Sequence, residues 1–209
     1  MKKKFLNILI AVAIIGTSFT ACNSDKATEE NTDSLSMDST AVEVDSSEAG
    51  VMVGGAMMVP SKNIVENAVL SNEHTTLVAA VTAADLVETL SGEGPFTVFA
   101  PTDDAFAKLP APFNNAANIG AITDAAQITA LSNILRYHVL GERYFGWDFG
   151  VLNKQTTLAD APKNQVRTII GMPVGYVKGN ANAKYSKVEP GDILCTNGVI
   201  HVIGDVLLP

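Results

Sequence analysis

Apolar residues recur along this chain at two different spacings, and the change from one to the other splits its C-terminal three quarters into a helical half and a strand-rich half. Ile64, Val65, Ala68 and Val69 repeat at helical period, so a helix is predicted over Ile64 to Leu70 with Ser61-Lys62-Asn63 supplying its cap. Leu77, Val78 and Val81 mark a second helix over Thr75 to Ala84, continued by a turn through Leu86 to Leu90 before Gly92. The period then shortens: Phe96-Thr97-Val98-Phe99-Ala100 is a β-rich run closed by Pro101. Thr102 is placed to cap a helix through Leu109, with Asp103 and Asp104 in the first turn, where carboxylates meet the positive end of the helix dipole. Ile128, Leu131, Ile134 and Leu135 form the stripe of a third main helix, Ala125 to Tyr137, and the chain turns at His138.

Beyond His138 the pattern is of short β-type runs: Val139 to Tyr144, Val166 to Ile170, Val174 to Lys178, Ile193 to Thr196 and Val199 to Leu207. Val199-Ile200-His201-Val202-Ile203 shows no polar alternation, which predicts a strand covered on both faces. Helices followed by strands, without βαβ alternation, predict an α+β domain rather than a doubly wound sheet. That domain is expected to span Ser61 to Pro209, long enough for one core. Val51 to Val59 is rich in Gly and Met and has no clear period, and no role is assigned to it.

Composition separates the front of the chain from this domain. Asn23 to Gly50 holds eight acidic residues against one lysine, nine Ser or Thr and no aromatic, so it reads as a disordered stalk over residues 22–60 that cannot bury enough apolar surface to offset ordering entropy. Self-repulsion would extend it. Asp33-Ser34-Leu35 and Asp38-Ser39-Thr40 resemble a tripeptide that some Gram-negative bacteria O-glycosylate, which makes Ser34 and Ser39 candidate glycosylation sites. Before the stalk, Lys2 to Lys4, an apolar run from Phe5 to Ile15 and the small residues leading to Ala21 have the order of a secretory signal over residues 1–21. The run of eleven residues is shorter than the about 17 to 25 that cross a bilayer core. Phe19-Thr20-Ala21-Cys22 resembles a bacterial lipobox, with Phe19 where Leu is usual, so Cys22 is expected to carry acyl chains; the alternative is an ordinary cleaved leader with Cys22 as a bystander. Asn23 after the cysteine favours transit to an outer membrane or cell surface of a Gram-negative cell.

Charge and cysteine usage narrow the chemistry. The chain carries a net charge of −8 and no basic run outside the leader, which argues against nucleic acid as a partner. Of the two cysteines, Cys22 is assigned to lipid and Cys195 lies in Ile193-Leu194-Cys195, where it reads as a small buried hydrophobe. His74, His138 and His201 lie far apart and in no metal-ligand spacing, and there is no G-x-S-x-G, Walker or G-x-G-x-x-G motif. No cofactor, no metal and no enzymatic activity are expected.

Three segments carry a resemblance. Gly94 to Pro110 (GPFTVFAPTDDAFAKLP), Arg136-Tyr137-His138-Val139 and Thr196 to Pro209 (TNGVIHVIGDVLLP) are similar to the first signature, the Tyr-His motif and the second signature of the fasciclin domain, in family order and at family spacing. The resemblance implies an α+β fold in which short strands form a β-sandwich or wedge packed with helices. It also implies adhesion or extracellular ligand binding, to a surface protein, matrix or carbohydrate. In animal members the Tyr-His pair and an Asp-Ile dipeptide are implicated in integrin binding; the matching residues are Tyr137, His138, Asp192 and Ile193, with Gly191 an additional residue in the turn before them. Read from the residues alone, Tyr137 is an aromatic body in the core with its hydroxyl bonded, and His138 a side chain satisfied by local backbone. Phe96, Phe99 and Phe106 read as core, and His201 as a sheet residue.

One stretch departs from a plain core pattern. Tyr144-Phe145-Gly146-Trp147-Asp148-Phe149 packs four aromatics into six residues, which would make Trp147 part of an exposed stacking platform for carbohydrate or peptide. Because tryptophan is highly buried on average, a loop folded back onto the core is the expected alternative. The sequence thus points to a lipid-anchored adhesion or ligand-binding module, or to a carbohydrate- or small-molecule-binding lipoprotein using the segment around Trp147.

Overall fold

A computed structural model describes residues 49–150, 153–160, 162, 164–170 and 175–209. The expected leader, the lipidation at Cys22, most of the acidic stalk and the sites at Ser34 and Ser39 lie outside the described residues.

Two nearly all-apolar strands organise the rest. β3 (Phe96–Pro101) and β10 (Gly198–Ile203) run parallel, with Phe96 opposite Gly198 and Pro101 opposite Ile203. β4 (Val139–Leu140) and β9 (Ile193–Cys195) flank them antiparallel, giving the order β4-β3-β10-β9. Alternation along the strands sends Val98, Ala100, Ile200 and Val202 into one core cluster and Phe99 and Ile203 into a second. Every residue of β10 is buried, as the unbroken apolar run predicts.

Helices cover the first face: α1 (Ile64–Leu70), α2 (Thr75–Ala83), α3 (Val87–Ser91), α4 (Asp103–Ala107), α5 (Ala116–Gly120) and α6 (Ala125–Tyr137). A second sheet covers the other, an antiparallel meander of β5 (Asn153–Thr156), β6 (Gln165–Ile169), β7 (Tyr176–Lys178) and β8 (Ser186–Lys187). Backbone bridges Leu140–Thr157 and Val188–Ile203 tie the two sheets together. The fold is α+β, with short strands in stacked sheets and helices packed over one side.

Local signals explain several boundaries. Asn63 caps α1 in a reciprocal box: its carboxamide oxygen accepts from Glu66 N–H at 2.9 Å, and Glu66 Oε2 accepts from Asn63 N–H at 2.7 Å. The buried face of that helix differs from the expected stripe, because Ile64 and Asn67 are buried while Val69 is 59% exposed. Asn67 faces inward because its amide is fully engaged. It accepts from Val59 N–H at 2.9 Å and donates to the Val59 carbonyl at 3.0 Å, pinning the segment before α1. That segment is a hairpin of β1 (Val51–Val53) and β2 (Ala56–Met58), turned by Gly54 and Gly55 at φ 55° and 78°, a conformation that favours glycine. Val53 and Met58 enter the helical core. The packed body therefore starts ahead of Ser61, and Val51 to Met58 acquires a role as its first layer.

Asp103 departs furthest from its local reading. Rather than serving only its own helix, its carboxylate crosses to the start of α2, accepting from Thr75 Oγ1 at 2.7 Å and from Thr76 N–H at 2.8 Å. α2 needs this, since His74 at its N-cap position makes no side-chain cap bond. Burial alone would raise the Asp103 carboxyl, but the bonds from Thr76 and Thr75 outweigh it and hold the group below its ordinary value. Asp103→Ala is expected to lower stability by about 1 kcal/mol, the usual cost of losing a helix cap. Urea unfolding checks this, and a midpoint unchanged from the parent would refute it.

Candidate functional site

Tyr137 and His138 close the end of α6 from inside. The Tyr137 hydroxyl donates to the Gln165 carbonyl at 2.5 Å and accepts from Asn180 N–H at 3.0 Å, joining α6 to β6 and to the loop after β7. His138 Nδ1–H donates to the Ile134 carbonyl at 2.7 Å, while Nε2 accepts from Leu207 N–H at 2.8 Å. These partners fix a neutral ring with its proton on Nδ1. Both side chains are buried, as is Ile193, so none of the three offers a ligand a surface, because each is consumed by packing and internal bonds. Direct ligand contact through them, carried over from the resemblance, does not fit their placement.

The other two residues singled out are brought together at the surface. Asp192 Oδ1 accepts from Gly146 N–H at 2.7 Å, across 46 residues of sequence, and so holds the short 3-10 turn Gly146–Asp148 that carries Trp147. Asp192 itself sits at φ 57°, a left-handed conformation that Asp tolerates better than most residues. Its N–H donates to His201 Nδ1 at 3.2 Å, and His201 Nε2–H donates to the Tyr144 carbonyl at 2.9 Å. One buried imidazole therefore bridges the Asp192 turn to the aromatic loop. Thr97 secures the loop's other end: its hydroxyl donates to the Glu142 carbonyl at 2.7 Å and accepts from Tyr144 N–H at 2.8 Å. Phe149 plugs the second core cluster, 5.2 Å from the His201 ring and 5.9 Å from Phe99.

Trp147 does not fold back onto the core. It is 69% exposed and lies flat against Phe145, with ring centroids 4.6 Å apart and planes 13° from parallel. The reason is local. Phe149 takes the buried position, and Gly146 leaves room for Asp192, whose Oδ2 would lie 3.2 Å from a Cβ there. The result is a stacked aromatic pair facing solvent on a loop pinned from three sides.

The fasciclin domain profile matches residues 72–209. The chain belongs to the fasciclin family. It is 37% identical over 169 residues to the protein sll1483 of Synechocystis sp., covering 80% of this chain and 84% of that one. It is 36% identical over 143 residues to the transforming growth factor-beta-induced protein ig-h3 of Sus scrofa, covering 66% of this chain but only 18% of the longer protein. Among solved structures, a FAS1 domain pair from the insect cell adhesion molecule Fasciclin I superposes with a TM-score of 0.58 at 18% identity, over 78% of this chain and 58% of that one. This last likeness speaks to the fold. The β1–β2 hairpin and α1 precede the matched fasciclin segment yet pack into the same core.

Cys195 is buried and accepts a contact from the Asn67 amide at 3.3 Å, and burial pushes its thiol up to about 11, so it stays protonated at neutral pH. Among the described residues no three His, Cys, Asp or Glu side chains gather as metal ligands, and no helix is long and apolar enough to cross a membrane. The sequence places Phe145 in the aromatic stretch without singling it out as the partner of Trp147, and it gives no sign of Thr97 and His201 as the pins or of Gly146 as the contact for Asp192. Hydrogen bonds between positions 45 to 57 apart leave no periodic trace.

Burial depresses His138 from an ordinary 6.5 to about 4, with the Ile134 carbonyl opposing weakly, and it lowers His74 and His201 in the same direction. The unfolded chain binds protons below pH 6.5 that the folded chain refuses, so stability is complete above 6.5 and falls as pH drops toward 4. At about 1.36 kcal/mol per unit, His138 alone accounts for about 3 kcal/mol. Denaturant midpoints measured from pH 7 to pH 4.5 should fall steadily; a flat profile would contradict the neutral buried rings.

Proposed function

We propose that this fasciclin-family chain is an exported binding module that mediates adhesion at a cell surface, held by lipid on Cys22 and raised on the acidic stalk, with no catalytic role. The observation that carries the reading is the solvent-facing Phe145–Trp147 stack on its pinned loop. A flat aromatic face whose backbone is already fixed loses little conformational entropy on binding, so its apolar area is available as affinity. Asp192, half-buried beneath it, and the exposed Arg143 and Asp148 beside it in the loop supply polar partners at the rim. Tyr137, His138 and Ile193 serve this surface by positioning, since they lock the strands that carry it. The ligand is a surface protein, matrix component or carbohydrate. Among relatives, the insect Fasciclin I is itself described as a cell adhesion molecule.

A second reading has its own support: the outer face of the Trp147 ring, backed by Phe145, is the kind of flat aromatic surface on which a sugar ring stacks, which favours a carbohydrate ligand. One set of strains separates these readings. Trp147→Ala should remove about 2 kcal/mol of binding, about thirtyfold in affinity, and weaken cell attachment while leaving thermal stability close to the parent's. Cys22→Ser should release the chain from the membrane fraction. Attachment unchanged in both strains would overturn adhesion; glycan-array binding that survives Trp147→Ala would remove the carbohydrate version.

A further inference from the structure

On the helical side of the domain, away from the aromatic loop, the core is incompletely filled. A cavity of about 140 Å³ lies among α1, α2, α6 and β3, with Ile64, Leu77, Val81, Val98 and Leu135 in its walls. Close-packed interiors seldom leave space beyond that of a water molecule, so a void of this size is unusual in itself. Its lining is almost wholly aliphatic. The polar groups at its edge are already engaged: the Thr82 hydroxyl donates to the Val78 carbonyl at 2.8 Å, and both His138 nitrogens are bonded. A water molecule needs two to four polar partners, which this lining does not offer, so the space is dry.

The cavity reaches the surface. Val69 and Val87, 59% and 38% exposed, line it together with the exposed Thr82, and two exposed valines at one opening are an apolar mouth rather than a sealed packing defect. An apolar cavity of about 150 Å³ in an unrelated protein is known to take up benzene or xenon, which sets the size of guest that fits. We propose that this cavity is a binding site for an uncharged hydrocarbon group of about six carbons, a single aryl ring or the end of an alkyl chain, entering between Val69 and Val87. Neither a carboxylate nor an ammonium fits inside, because nothing in the lining would compensate its lost hydration. A polar end of a longer ligand would stay outside, at Thr82.

The test uses the full chain carrying Cys22→Ser, so that no acyl group of its own competes, with toluene as the aryl probe and hexane as the alkyl probe. Methyl-resolved NMR titrations should show saturable shifts centred on Val65, Leu77, Val81 and Leu135, with toluene, hexane or both telling which guest is preferred. Ala68→Leu and Val78→Leu each grow a side chain into the space and should weaken probe binding at least tenfold while preserving the folded spectrum. Trp147→Ala should leave it unchanged, which separates this site from the adhesion surface. Absence of saturable shifts up to the probes' solubility limits, shifts centred on Trp147, or full binding in whichever filled variants fold would each overturn the proposal.

Discussion

The parallel pairing of β3 with β10 is the constraint on which the rest of this molecule hangs. Two apolar strands that are buried on both faces and lie far apart in sequence must be brought side by side, and each face must then be covered. Helices α1 to α6, the first three of them preceding β3, cover one face, and the β5–β8 meander covers the other. Asn197 fastens the junction. Its side chain accepts from Ile64 N–H at 3.0 Å, at the start of α1, and donates to the Leu90 and Gly92 carbonyls at 2.8 and 2.9 Å, where α3 ends. One buried amide thus terminates two helices and orients the turn that feeds β10, which explains why the signature segments are dominated by packing and capping residues.

Covering both faces forces polar groups inside, and the fold meets that demand with neutral imidazoles. His138 carries its proton on Nδ1 and His201 on Nε2, each because one ring nitrogen faces a carbonyl and the other an N–H. A neutral histidine is suited to such a place, being donor and acceptor at once, whereas its cation would set two donors against each other. His201 also stacks on Phe99 at 5.7 Å, so the strand pair, the Asp192 turn and the Tyr144 carbonyl meet at a single ring. The exposure of Trp147 follows from this rigidity. A loop already fixed by Thr97, Asp192 and His201 does not need its largest side chain as an anchor.

Much of the framework was legible because it rests on local signals. The α6 stripe, the Thr102 cap, the unbroken run in β10 and the α+β order were all readable from spacing, and the three signature segments pointed to the family. What escaped notice lacks a local signal. β5 reads Asn-Lys-Gln-Thr, polar throughout, and becomes a strand only because β6 is there to pair with it. α5 has a single large apolar residue, Ile119, too few to show a period. The β1–β2 hairpin hides behind two glycines whose meaning is a φ value rather than a pattern. Average burial favours the alternative of a folded-back loop and does not place Trp147. Its fate is decided by Phe149 two positions later, which occupies the core and leaves the tryptophan on the opposite side of the turn.

The two core clusters lie on opposite faces of the central strands, one under the helices and one under the second sheet, and each adjoins one of the two proposed binding surfaces. Val98 borders the helical cavity, and its neighbour Phe99 both reaches that lining and stacks on His201 beneath the aromatic loop, so a single strand lies between the two. Coupling across that strand would need an element with two discrete arrangements. β3 is instead held on both edges by β4 and β10, and its backbone at Phe99 is fixed by the His138 carbonyl at 2.9 Å. A strand so constrained passes little of a guest's presence to the far side. A guest in the proposed cavity and a ligand at the proposed loop surface would therefore be only weakly coupled, with Phe99 the side chain that touches both surroundings.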